Sequence, residues 1–159
     1  NSRILLKDSL TGGDDLKENV LQKFLKQGVK EDQIIFLKRE KKNEDHLKLY
    51  NKANVALDTF PYPGVTTSCE AILMGLPVLT MKGFNFNSRC GESINKNISM
   101  DELIASDDDD YVAKAKSLIF EKKFNEKYGI KLREKALKSP LFDTDKFVKD
   151  FENLIYEIY

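Results

Sequence analysis

VALDTFPYPGVTTSCEAILMGLPVLTM, running from Val55 to Met81, reads as strand, loop, helix and strand. Val55–Asp58 is a short apolar run that suits a pleated, buried strand. Phe60-Pro61-Tyr62-Pro63-Gly64 cannot be regular structure, because its prolines and glycine forbid it. Thr66–Met74 has the composition of a short helix, and Gly75 is a natural stop. Pro77–Met81 is a second apolar strand. Two short apolar strands joined by a helical crossover predict parallel pairing in a sheet covered on both faces. Such crossovers are right-handed, so a doubly wound sheet is the expected topology.

The same alternation extends toward the amino end. Arg3–Lys7 reads as a strand, and Thr11-Gly12-Gly13-Asp14 as a loop. Asp14 or Asp15 can cap a helix in which Leu16, Val20, Leu21, Phe24 and Leu25 share one face, with Gly28 ending it. Gln33–Leu37 is a strand and Lys38–Asn43 a polar loop. Glu44–Ala53 places Leu47 and Tyr50 at helical spacing. Beyond Lys82-Gly83 the pattern turns mostly helical, with short pieces at Ser88–Lys96 and Asp101–Ala105. Tyr111, Ala115, Leu118 and Ile119 lie at helical spacing, and Phe124–Leu137 is a further helix broken at Ser139-Pro140. Asp143 can cap a last helix carrying Phe147, Phe151, Leu154, Ile155 and Ile158.

The whole chain bounds the function. Its 159 residues suit one domain, expected to span 1–159, and 41% hydrophobic residues allow a proper core. Lys plus Arg and Asp plus Glu balance at 26 each, which leaves no field for holding nucleic acid. No apolar run approaches the roughly 20 residues needed to span a bilayer. The two cysteines, Cys69 and Cys90, make neither a metal pattern nor a disulfide framework, so a cytoplasmic protein is expected. The chain begins at Asn1 rather than Met and enters an apolar run at once, which suggests a piece of a longer protein.

The segment from Asp58 to Glu70 joins the carboxyl end of a strand to a helix start, the edge where open α/β sheets bind ligands. Gly64 lets backbone approach a ligand closely. Thr66 and Thr67 offer hydroxyls and free helical N–H groups, which suit phosphate. Glu70, one turn in, can accept from two ribose hydroxyls. The alternative is that Thr66 or Thr67 simply caps the helix and Glu70 completes the capping pattern. Asp107–Asp110 reads as a helix start rather than a metal site, since four adjacent Asp cannot all face one ion. Lys38, Arg39, Lys41 and Lys42 form a basic loop, either solvated charge or an attraction for diphosphate. Arg89, after the fourth strand, is a weaker candidate for facing the ligand. Cys69 and Cys90 read as packing residues.

Several motifs in order carry a resemblance. They are Ala56-Leu57-Asp58-Thr59-Phe60-Pro61-Tyr62, Gly64-x-Thr66-Thr67, Glu70-Ala71, and Met74-Gly75-x-Pro77-Val78-x-Thr80. Asn1-Ser2-Arg3-x-Leu5-Leu6-Lys7, Gln33-Ile34-Ile35-Phe36, the loop ending in His46, Ser88-Arg89, Asp101–Ala105 and Ser139–Asp143 follow suit. Together they resemble the O-linked N-acetylglucosamine transferase family, above all its bacterial members with tetratricopeptide repeats. The resemblance implies a Rossmann-like lobe of a two-lobed GT-B glycosyltransferase, here the carboxyl-terminal, donor-binding lobe with a helical end. It implies transfer of N-acetylglucosamine from UDP-GlcNAc to Ser or Thr of an acceptor protein, with no metal and no other cofactor. The repeats, the amino-terminal lobe with its base candidates, and a phosphate-binding lysine would lie outside this chain. The catalytic residues are therefore unknown, and the final helix, 143–159, is expected to pack on that other lobe.

Residue by residue, the resemblance assigns UDP binding to Gly64, Thr66, Thr67, Glu70 and His46. The residue before the Thr pair, His in animal enzymes, is Val65 here, and the ribose-binding Asp is Glu70. Two rival readings stand beside this one. Another GT-B enzyme, such as a sugar-nucleotide epimerase, would share the lobe. A non-catalytic binding or scaffolding lobe would explain Val65 and Glu70.

Overall fold

The computed structural model describes residues 2–7, 14–38, 40–120 and 123–159. The expected loop at Thr11–Gly13 and the basic Arg39 lie outside the described residues. The chain divides into two compact units, residues 1–46 and 47–159.

In the first unit, β1 (Ile4–Lys7) is followed by α1 (Asp14–Lys26) and β2 (Ile34–Leu37). The two strands pair in parallel, with Ile4 opposite Ile34 and Lys7 opposite Leu37. Parallel neighbours need a crossover, and α1 supplies it. Gly28 ends α1 at φ +82°, a left-handed conformation that glycine takes without penalty. A short helix, α2 (Asn43–Lys48), begins in this unit, and the 3-10 turn at Leu49–Lys52 that follows it belongs to the second.

The second unit holds β3 (Ala56–Leu57), α3 (Thr66–Leu73), β4 (Val78–Met81), α4 (Cys90–Asn97), β5 (Ile104–Ala105), α5 (Asp108–Phe120), α6 (Lys123–Leu137) and α7 (Thr144–Ile158). Its strand order is β3-β4-β5, and both pairings are parallel. The central strand is the most apolar and the most enclosed, with Val78, Leu79 and Thr80 all buried. Ala71 and Ile72 of α3, Ile94 of α4, Leu118 of α5, and Leu132 and Ala136 of α6 join it in one core with Ile98, Met100 and Leu103. Buried Asn95 ties two layers of this core. Its amide donates to the carbonyls of Val78 at 2.9 Å and Leu103 at 3.3 Å.

The α/β reading of the sequence holds, with two differences. Asp101–Ala105, expected as a helical piece, is a 3-10 turn running into β5. Ile104 and Ala105 face Thr80 and Met81, and this pairing with a buried neighbour outweighs weak local helical preference. The third strand is shorter than expected, since only Ala56 and Leu57 are regular. Helix caps follow the sequence more closely. Asp143 accepts from Lys146 N–H at 2.9 Å at the start of α7. Asp107 accepts from Asp110 N–H at 2.9 Å, so the acidic run is the start of α5.

The turn after α3 packs closely against the backbone of α6. Gly75 has φ +77°, and a Cβ there would lie 2.6 Å from the backbone carbonyl oxygen of Gly129 in α6. Gly28 shares the dihedral but has nothing within 4 Å. The two glycines thus separate conformational cost from steric cost. Gly28→Ala should destabilise by about 1–2 kcal/mol, the penalty of the left-handed region alone. Gly75→Ala should cost about 2–5 kcal/mol, because the backbone of α6 must also move. Urea denaturation of the two variants measures the difference.

Candidate functional site

The start of α3 lies just past the carboxyl end of β3. Val65 is its N-cap residue, and no side chain caps it. The first helical bond is from Cys69 N–H to the Val65 carbonyl at 3.0 Å. The N–H groups of Thr66, Thr67 and Ser68 precede any intrahelical partner, and Thr66 and Thr67 are exposed. Helix ends of this kind offer aligned donors and a positive dipole end to an anion. The simple capping alternative is not adopted, since neither threonine occupies the cap position.

The loop before this helix is held by Asp58. Its Oδ1 accepts from Gly64 N–H at 2.6 Å, and its Oδ2 accepts from the Thr80 hydroxyl at 2.9 Å. Its backbone carbonyl accepts from the Tyr111 hydroxyl at 2.8 Å. Burial pushes the Asp58 carboxyl above its usual range, partly offset by the Gly64, Thr80 and Thr59 bonds. Burial, and the Asp58 charge nearby, also raise Tyr111 to about 12. Gly64 has no room for a side chain, because a Cβ would sit 2.5 Å from Thr67 Oγ1 and 2.7 Å from Ser68 Oγ. Its close approach in this structure is to the helix start. The loop closes further through Thr59, whose hydroxyl donates to the Tyr62 carbonyl at 2.6 Å.

Glu70 sits half-buried one turn into α3, and its Oε2 accepts from the Tyr50 hydroxyl at 2.9 Å. Burial, with Glu70 beside it, raises the Tyr50 phenol. Gly64, Thr66, Thr67 and Glu70 are therefore gathered on one loop and helix start. His46 belongs to the first unit, on α2, where its ring meets the ammonium of Lys7 at the carboxyl end of β1.

A cleft of about 760 Å³ opens beside the start of α3. Val65, Phe84, Phe86, Arg89, Glu92 and Lys96 line it. Its rim is stiff. Buried Ser88 accepts from the N–H groups of Phe84 at 3.0 Å and Asn85 at 3.1 Å, which holds the loop after β4. Buried Glu92 meets both Arg89 and Lys96 at 2.8 Å. These hydrogen bonds hold its carboxyl down at about 2, well below the usual carboxylate range. A second hollow is lined by Asp107, Asp108 and Asp109 together with Lys82, Ser106 and Phe60. Cys69 and Cys90 are both free thiols, and burial raises that of Cys69.

Sequence reading identified the helix start but not Asp58, Thr80 or Tyr50. A carboxylate at the last position of a strand, just ahead of a Pro- and Gly-rich loop, is the signal that marks Asp58. No comparable signal marks Tyr50, whose partner is twenty residues away.

The comparisons with known proteins give the family and the fold. The model of glycosyl transferase family 41 matches residues 6–151. A probable UDP-N-acetylglucosamine–peptide N-acetylglucosaminyltransferase SPINDLY of Eustoma exaltatum subsp. russellianum is 33% identical over 152 residues, covering 96% of this chain and 17% of that protein. A probable enzyme of the same title, SEC of Arabidopsis thaliana, is 31% identical over 134 residues, or 84% of this chain and 14% of that protein. The solved structure of a K341M mutant of Thermobaculum terrenum O-GlcNAc transferase matches 96% of this chain and 29% of its own, with TM-score 0.88 and 26% identity. The Rossmann-like GT-B lobe expected from the sequence is the fold found. The chain spans about a sixth of the first of these relatives.

The Glu92 bridge gives a pH signature. Its folded pKa lies below 4.5, so its stabilisation is complete above that value and is lost as pH falls toward 2. Glu92→Gln should therefore cost roughly 1–2 kcal/mol at pH 7, a figure reduced for the half-exposed Arg89 and Lys96. Denaturation of parent and variant across this range should show the gap narrowing below pH 4.5.

Proposed function

The chain belongs to glycosyl transferase family 41, and on that footing we propose that it is the UDP-sugar-binding lobe of a protein O-glycosyltransferase. The observation that carries the reading is the uncapped start of α3 at the carboxyl edge of the sheet. The diphosphate takes the N–H groups and hydroxyls of Thr66 and Thr67, with Gly64 allowing the loop to lie close. Glu70 takes the ribose hydroxyls, and His46 is assigned to UDP binding by the family resemblance alone. The sugar is N-acetylglucosamine, and the acceptor is a Ser or Thr of a protein. No metal ion or other cofactor takes part. The protein works in the cytoplasm, consistent with its free thiols. Tetratricopeptide repeats and an amino-terminal lobe complete the enzyme, and the catalytic base belongs to that lobe. Helix α7, with Phe147, Phe151, Leu154 and Ile158 exposed along it, packs on the same lobe.

The lobe contributes position and electrostatics. An oriented diphosphate leaving group is stabilised at the helix start as charge develops on it. No helix among the described residues is long and apolar enough to cross a membrane.

Calorimetry with UDP tests this directly. Binding should be measurable and unchanged by EDTA, while binding that appears only with Mg²⁺ or Mn²⁺ would refute the metal-free reading. Val65→Asp supplies the second test. A cap at this position should stabilise the fold by about 1 kcal/mol. It should also occupy the free donors and place a negative charge beside the diphosphate, weakening UDP at least tenfold. A variant that gains stability and keeps full UDP affinity would exclude the helix start as the phosphate site.

A further inference from the structure

We infer that Asp58 is a positioning residue, which aims the start of α3 at its anion by fixing the loop through its two carboxylate oxygens. The inference rests on the reading of α3 as the diphosphate site and adds a residue to it.

The carboxylate joins elements on both sides of the loop. Oδ1 holds Gly64 N–H and Oδ2 holds the hydroxyl of Thr80 in the buried central strand. Asp58 itself is anchored to that strand, since its N–H donates to the Leu79 carbonyl at 2.9 Å. From the opposite side, Gly91 of α4 presses on the pair, and a Cβ there would lie 2.6 Å from Asp58 Oδ2. The carboxylate is thus clamped between β4, α4 and the loop, with both oxygens committed.

The consequence lies six residues away. Gly64 N–H is spent on Asp58, so the free donors of the site begin at the helix itself. Gly64 immediately precedes the N-cap residue Val65, and a Cβ on it would meet Thr67 Oγ1 at 2.5 Å and Ser68 Oγ at 2.7 Å. Because Gly64 is bonded to the N-cap residue, a shift of its backbone carries into the first turn of α3. Two hydrogen bonds to a group embedded in the sheet convert a loop rich in proline and glycine into a fixed mount. A half-buried carboxylate near a diphosphate is unfavourable by charge alone. Its use here points to its acceptor geometry, which a neutral amide can partly reproduce.

The experiment uses this chain with three variants and three probes: UDP, inorganic pyrophosphate and uridine. Circular dichroism and thermal melting establish that each variant is folded. Asp58→Ala should bind UDP and pyrophosphate about tenfold more weakly, as expected for one lost hydrogen bond at the site, with uridine within about twofold. Asp58→Asn keeps an acceptor for Gly64 N–H and should stay within about threefold of the parent on all probes. A folded Asp58→Ala that binds pyrophosphate like the parent overturns the proposal, as does an equal loss on all three probes. Should Asp58→Ala fail to fold, Thr80→Val removes only one anchor. Faster hydrogen exchange at Gly64 N–H with a two- to fivefold loss of pyrophosphate then supports the role, and no change in either overturns it. A parent that binds no pyrophosphate overturns the site reading itself, and the role of Asp58 falls with it.

Discussion

The buried strand β4 is the constraint on which the second unit depends. Parallel strands leave every backbone donor and acceptor to be met by a neighbour, and β4 is met on both sides, by β3 and by β5. Its Val78 and Leu79 are almost fully enclosed, so helices must cover both faces. Once β4 is fixed, β3 is held at Ala56 and Leu57, and Asp58 falls at the sheet edge beside Thr80. The loop to Gly64 and the start of α3 follow from that one placement. The site is a derivative of the core, not an addition to it.

Elements with strong local signals were legible in the sequence. The strands with clean apolar runs, the stop at Gly75 and the cap at Asp143 all needed only nearby residues to identify them. Asp101–Ala105 was misread because Ile104 and Ala105 gain their strand character from Thr80 and Met81, over twenty residues away. A two-residue strand has no periodicity of its own to detect. The site divides along the same line. Gly64, Thr66 and Thr67 are legible as candidates because they lie within four residues of one another and carry a known physical use. Asp58 with Thr80, and Glu70 with Tyr50, are pairings that only the folded chain creates.

The first turn of α3 carries the last step of the argument. Val65 is a poor N-cap residue, and a Ser, Thr, Asp or Asn there would be worth about 1 kcal/mol. The unit caps α5 and α7 with Asp107 and Asp143, so helix capping is within its means. The same chain spends a half-buried carboxylate, Asp58, on holding the loop that leads into this uncapped turn. Stability is thus given up at the helix end while rigidity is secured immediately before it. A purely structural helix gains nothing from that combination. An anion site gains from both halves, because free donors bind and a fixed mount spares the entropy of ordering them. Active sites are where proteins depart from the rules that stabilise the rest of the fold, and the departure at Val65 falls at the helix start proposed for the diphosphate.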